Sequence, residues 1–317
     1  MKITSRTLDE LLEKQLEEWP LVQENYKNLE KIQWKEFQYN YFAVNVQFNP
    51  ARIKSSNAST DEKSLQERKC FLCTENLPKE QKGISFGGRY QILVNPYPIF
   101  PEHFTIRDVN HTEQLIASRY PDMLHMADSF TGHTVFYNGP KSGASAPDHA
   151  HFQAVKRKAL PVEKDISEIN KELLIQKDSL NVYALKEYLR NAFLIEAKDK
   201  NTAIGFFDYF YGLLEIKEGD KEPGMNIIAW YENDTWHTVI FPRENHRPDC
   251  FYAVGEDNIL ISPGAVDMGG ILVAPLEKDF NKITSQNVSD ILKEVCISNH
   301  KMESIINRLK DQAWNQK

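Results

Sequence analysis

Leu8, Leu11, Leu12, Leu16 and Trp19 recur at helical spacing with Glu and Lys between them, which predicts a helix over residues 7–29 interrupted by Pro20. Aromatic and β-branched residues then crowd positions 37–48 (Phe37, Tyr39, Tyr41, Phe42, Val44, Val46) and predict a strand. The small polar run 54–60 predicts a loop. Strands follow over 90–94, 104–106, 134–137 and 149–155, with a turn at Gly87-Gly88 and a loop over 139–148. Residues 111–130 are expected to be mostly helical, with Pro121 as an interruption.

The pattern changes near Pro161. Residues 179–197 are a helix candidate, and 225–240 reads as a hairpin turning at Asn233-Asp234. Short strands are expected over 258–262 and 270–273, and a closing helix over 288–309. Strands and helices interleave irregularly, so the expected class is α+β with mainly antiparallel sheet.

Composition adds limits. The chain has 317 residues, of which 41% are apolar and 26% charged, enough for a substantial core. A net charge of −7 excludes non-specific nucleic-acid binding, which needs a basic surface. A small anionic ligand held by a few local cations stays allowed. The first residues contain no apolar h-region, and no apolar run is long enough to span a bilayer. Only four cysteines occur (Cys70, Cys73, Cys250, Cys296), so a reduced, cytoplasmic setting is expected.

The candidate chemistry concentrates in Tyr137-Asn138-Gly139-Pro140-Lys141-Ser142-Gly143-Ala144-Ser145-Ala146-Pro147-Asp148-His149-Ala150-His151-Phe152-Gln153. On a strand His149, His151 and Gln153 share one face, and three polar groups in a row need partners. The preceding loop offers Gly143, whose backbone can approach a phosphate closely, and the Ser145 hydroxyl. A neutral imidazole is available as a nucleophile near neutral pH, since its ordinary pKa is about 6.5. Cys70-Phe71-Leu72-Cys73 is half of a zinc site.

The run resembles the catalytic motif of the histidine-triad superfamily, in the branch of galactose-1-phosphate uridylyltransferases, diadenosine tetraphosphate phosphorylases and GDP-hexose phosphorylases. There an Asn-Gly and Gly-x-Ser loop precedes a His-x-His-x-Gln strand. The stretch Asn95-Pro96-Tyr97-Pro98-Ile99-Phe100-Pro101-Glu102-His103 resembles the same branch. The resemblance is good over residues 35–160 and general beyond. It implies two histidine-triad-like halves, a catalytic one over 1–160 and a degenerate one over 161–317, each a mainly antiparallel sheet with flanking helices. It makes His151 the nucleophile, Gln153 and Ser145 its phosphate contacts, and Asn95 and Asn138 ribose-side and positioning residues. Arg52 and Lys141 are candidate phosphate cations, as is Arg243.

By the same resemblance Cys70, Cys73, His111 and His149 form a structural zinc site, with His103 as the competing third ligand. His125, His133, His237, His246 and His300 are left as structural or surface residues, and Trp230 and Trp236 as packing. The implied activity is nucleotidyl transfer through a covalent histidine. The substrate is a nucleoside diphosphate sugar or dinucleoside polyphosphate, and the acceptor phosphate or a sugar phosphate. Exchange of the uridylyltransferase type and a non-catalytic nucleotide-binding module are the alternatives. A monomer or homodimer is expected, without nucleic acid or membrane.

Overall fold

The computed structural model describes residues 3–53, 64, 67–311 and 314; the loop expected over 54–60 lies outside them. Thirteen strands are described: β1 Gln33–Gln38, β2 Ala43–Phe48, β3 Gly83–Phe86, β4 Tyr90–Val94, β5 His103–Asp108, β6 His133–Asn138, β7 His151–Lys156, β8 Lys171–Lys177, β9 Leu180–Leu185, β10 Ala192–Ala197, β11 Met225–Glu232, β12 Thr235–Pro242 and β13 Ile271–Ala274. The longer helices are α1 Ser5–Glu18, α2 Pro20–Lys27, α3 Tyr120–Ser129, α4 Lys200–Tyr211, α5 Ser285–Val295 and α6 Asn299–Asp311.

Ten strands form one sheet in the order β3-β4-β5-β7-β6-β11-β12-β10-β9-β8. Every neighbouring pair in it is antiparallel. The two expected half-sheets therefore meet edge to edge, through β6 and β11, with Phe136 opposite Ile228. A smaller sheet, β1-β2-β13, contains one parallel pair. The class is α+β, as expected.

Both faces of the large sheet are covered. Phe104, Ile106, Val135, Tyr137, Phe152 and Ala154 join the core under α1–α4 and α6. Phe136, Val155, Ile228 and Val239 join the core shared with the small sheet and α5. Burying both faces accounts for strands that read as near-continuous apolar runs. No helix among the described residues is long and apolar enough to cross a membrane.

Several elements differ from the expectation. Residues 37–48 belong to a hairpin, with Gln38 opposite Ala43. Residues 179–197 are not helical but form β9 and β10. Leu180, Val182 and Ala184 alternate into the core, a period of two that a run of apolar residues disguised. The helix expected over 111–130 starts only at Tyr120, with Pro121 in the first turn, where its missing N–H costs nothing. Before it the backbone runs along the loop entering β7: Ala150 N–H donates to the Thr112 carbonyl, and Gln114 N–H to that of Pro147.

The segment 258–262 is extended but joins no sheet; Leu260 N–H donates to the Asp279 carboxylate instead. The closing helix is two helices. They break where Cys296 pairs with Arg243 and Ile297 N–H donates to the Pro242 carbonyl. The hairpin at Asn233-Asp234 is found as expected, and both residues take positive φ (50° and 56°), the geometry of a type I′ turn.

Candidate active site

Alternation along the strands sorts the chemistry from the core. With Phe152 and Ala154 buried under the helices, His151 and Gln153 face the other side of the sheet. The same parity puts His103 and Thr105 on that side from β5, and Asn138 from β6. These residues flank a cavity of about 530 Å³ at the sheet end, which Asn95, Thr105, Asn138, Gly143, Ser145, His151 and Gln153 help to line.

His151 opens β7 and is held by its backbone. Its N–H donates to Gln114 Oε1 (2.7 Å), and Gln114 Nε2 donates to the carbonyls of His151 and Asn138 (2.9 Å each). One buried glutamine thus bridges β6 and β7 where their own ladder has ended. The ring is 5% exposed and borders the cavity. Its Nδ1 lies 2.8 Å from the His149 carbonyl. A carbonyl only accepts, so Nδ1 carries the proton and Nε2 keeps its lone pair. Nε2 has no hydrogen-bond partner among the described residues. Burial pushes the imidazole pKa down to about 4, so the ring is neutral near pH 7.

Gln153 is oriented by a residue whose role the sequence did not disclose. Ile99 N–H donates to His103 Nδ1 (3.2 Å), which places the His103 proton on Nε2. That Nε2–H donates to Gln153 Oε1 at 2.8 Å. The carbonyl end of Gln153 is thereby occupied, and its NH2 is left as the donor toward the cavity. Burial, and then Arg52, push the His103 pKa down to about 3, which keeps the donor neutral.

Asn138 is fixed from the second half. Its Oδ1 accepts from Ala265 N–H (2.6 Å) and from Asn226 Nδ2 (2.8 Å). Arg243 donates in turn to Asn226 Oδ1 and to the carbonyls of Pro263, Val295, Asn245 and His246. Arg243 is therefore a buried brace, not the phosphate clamp suggested by its charge. Gly143 has φ +93°, and a Cβ there would lie 2.6 Å from the Gly264 Cα, so the 139–150 loop docks on second-half backbone only because it is glycine.

Asn95 lines the cavity with its Oδ1 accepting from Tyr97 N–H and its Nδ2 donating to Thr105 Oγ1. Arg52 also lines it and donates to the Tyr97 carbonyl (2.8 Å). Lys141 is not brought in: it is exposed and pairs with Asp220. Arg68 and Arg247, which sequence reasoning passed over, line the cavity, and so does His246. Arg68 donates to the Ser145 carbonyl and to Asp148, bracing the loop. His246, expected to be structural or surface, is held neutral by burial, which lowers its pKa to about 4. The only sequence signal for the last two was the basic pair following Phe241-Pro242-Arg243.

His149 leaves the face expected for it. The strand begins at His151, and His149 lies in the turn before it, with its N–H donating to the Ala146 carbonyl. Its ring faces Cys70, Cys73 and His111; one ligand atom from each lies within 4.8 Å of the others. Cys70 Sγ is 3.3 Å from His149 Nδ1, and Cys73 Sγ 3.1 Å from His111 Nδ1. His149 Nε2–H donates to the Asp108 carbonyl (2.8 Å), which leaves Nδ1 as the ligand atom. Two sulfurs and two imidazoles suit tetrahedral zinc. The structure brings His111 to the cysteines, while His103 holds Gln153. Arg107 secures the cysteine loop through the Leu72 carbonyl and Thr74 Oγ1.

Comparison with known proteins agrees with this architecture. Residues 11–156 match a domain of unknown function, DUF4922, and residues 161–316 match the GDPGP1-like C-terminal domain. No curated protein matches the chain. Among solved structures, the yeast Ap4A phosphorylase Apa2 is 16% identical, with 87% of this chain and 93% of that one covered and a TM-score of 0.56. The same yeast protein in complex with Ap4A gives 16% identity, coverage of 87% and 96%, and a TM-score of 0.55. At such identities the likeness concerns the fold. The second half of the chain thus matches the GDPGP1-like C-terminal domain, and the chain as a whole shares the fold of the yeast Ap4A phosphorylase.

Proposed function

We propose that this chain is a nucleotidyltransferase working through a covalent nucleotidyl-histidine at His151. The reaction is phosphorolysis of a nucleoside diphosphate sugar or dinucleoside polyphosphate. The observation that carries the reading is a neutral imidazole with Nδ1 tied to a carbonyl and Nε2 unpartnered beside a polar cavity.

Nε2 attacks the α-phosphorus, and the bond to the bridging oxygen breaks. The sugar phosphate, or the remaining nucleotide, leaves with that electron pair. The ring then carries a positive charge, shared through Nδ1–H with the His149 carbonyl. A phosphate oxygen next attacks the same phosphorus, the P–N bond breaks, and a nucleoside diphosphate and a neutral imidazole result. The Gln153 NH2, the Ser145 hydroxyl and loop N–H groups meet the phosphoryl oxygens, and Arg52 adds charge. Asn95 stands on the ribose side, and Asn138 is a positioning residue. The second half is a degenerate repeat that braces this site.

Cys70, Cys73, His111 and His149 would hold zinc. It would anchor the loop that ends in His151 rather than activate water, because four protein ligands close the coordination sphere. The reduced cysteines suit a cytoplasmic protein. A transfer to a sugar 1-phosphate is the second reading, which the resemblance of the His149–Gln153 run to the uridylyltransferase motif supports.

The test is a panel of nucleoside diphosphate sugars and dinucleoside polyphosphates with inorganic phosphate, followed by nucleoside diphosphate release. Release by wild type and not by His151→Ala is expected. Turnover only with a sugar 1-phosphate selects the second reading, and no turnover with any of them selects a binding module. Zinc content tests the metal separately: Cys70→Ser should lose it, and an unchanged content ends that assignment.

A further inference from the structure

On the opposite face of the sheet, α1 covers a second cluster of ligand-type groups. Asp9 comes from α1, Glu102 from the residue before β5, and His133 from the start of β6. Their ligand atoms lie within 4.8 Å of one another. His133 is 1% exposed, yet neither of its ring nitrogens makes a hydrogen bond. Its Nε2 lies 3.2 Å from Glu102 Oε2, close enough for an ion pair, but the direction is wrong for a hydrogen bond. Glu102 Oε2 is likewise buried without a hydrogen bond.

Both His133 ring nitrogens and Glu102 Oε2 are thus buried polar atoms without a hydrogen bond, which a bound cation could meet together. Burial favours the neutral ring, lowering the His133 pKa. Leaving buried polar atoms unmatched is costly, and an ion would offset that cost. Strand parity separates this cluster from the nucleotide cavity: His133 lies on the face of Val135 and Tyr137, under the helices.

We propose that Asp9, Glu102 and His133 form a binding site for a divalent transition-metal ion. One imidazole and two carboxylates leave open positions for water and suit ions that accept mixed nitrogen and oxygen donors. The neighbouring cation, Lys156, pairs with Glu102 Oε1; its side chain is 65% exposed, so it can swing into water when an ion arrives. The ion ties α1 to the end of the catalytic half-sheet, where Ser5 Oγ already accepts from Gly132 N–H (2.8 Å). Trp19, which caps α1, lines the nucleotide cavity, so the ion steadies one wall of that cavity from behind.

Mn2+ distinguishes this site from the cysteine cluster, because thiolates select softer ions. Chelator-treated protein is titrated with Mn2+, and free Mn2+ is read by electron paramagnetic resonance. Wild type should bind one Mn2+ per chain, with affinity at least tenfold weaker in Asp9→Asn and His133→Gln. Mn2+ should also raise the Tm of wild type and not of Asp9→Asn. Should His133→Gln fail to fold, the helix-surface variant Asp9→Asn decides alone. No saturable binding by wild type, or wild-type affinity in Asp9→Asn, overturns the site. Neither readout depends on nucleotidyl transfer.

Discussion

The two halves of the large sheet are built alike and used differently. The first runs β3-β4-β5-β7-β6 and the second β8-β9-β10-β12-β11, the same order read inward from each edge. Between β6 and β7 the chain spends residues 139–150 on a loop that holds Gly143, Ser145 and His149. Between β11 and β12 it spends only the Asn233-Asp234 turn. The tight I′ turn leaves no counterpart of that loop in the second half. Function on this fold lives in a connection, and the strands only aim it.

The second half is not idle, however. Arg243 reaches Asn138 through Asn226, and Glu222 reaches Tyr137 and Ile116 N–H. Removing the Arg243 brace should have the largest effect on the pairing of the halves. Arg243→Met leaves several buried carbonyls without donors and should cost on the order of 3 kcal/mol, read by denaturant unfolding. A loss below about 1 kcal/mol would show that the brace is dispensable.

Next comes the orientation of Gln153. His103→Leu removes the donor that fixes its amide. Turnover should fall by roughly 10–100-fold while zinc content stays unchanged, since misplacing a contact group costs about that much. If zinc is lost instead, His103 and not His111 serves the metal.

Glu222 gives a smaller, pH-dependent effect. Burial raises its carboxyl pKa to about 7, above the ordinary 4.5. A folded pKa above the unfolded one means that the native state binds more protons between those values. Stability therefore falls as pH rises from about 4.5 to 7 and levels off above. The geometry agrees: Tyr137 has one hydroxyl proton but two acceptors in reach, the Gln114 carbonyl and Glu222 Oε1. A protonated Glu222 can donate to Tyr137 and resolve this. Glu222→Gln should flatten the pH dependence and gain on the order of 2 kcal/mol at pH 8 relative to wild type. An unaltered slope would place the titration elsewhere.

The smallest effect is expected on β12, the counterpart of β7. His237 there pairs with Glu196 and stacks on Trp230. His237→Asn should change turnover less than twofold, and a large loss would make the second half catalytic too.

The site was legible where chemistry sits in one continuous run. The spacing of His149, His151 and Gln153, the cysteine pair and the Asn233-Asp234 turn are local signals, and resemblance supplied His111. What the sequence could not show depends on tertiary partners. His103 stands beside Glu102 in the chain, but its meaning comes from Gln153 on another strand. Gln114 looked like one polar residue in a helix; its backbone instead lies along the loop entering β7. Residues 179–197 failed for a related reason: β10 is buried on both faces and loses the alternation that distinguishes a strand from a helix, which masked the period of two in β9.

Enzyme incubated with an α-labelled nucleoside diphosphate sugar without acceptor, quenched in alkali and digested, should yield label on the peptide carrying His151, and phosphate should discharge it as nucleoside diphosphate. Label on any other residue, or a wild-type enzyme that turns over without ever becoming labelled, would contradict a covalent nucleotidyl-histidine.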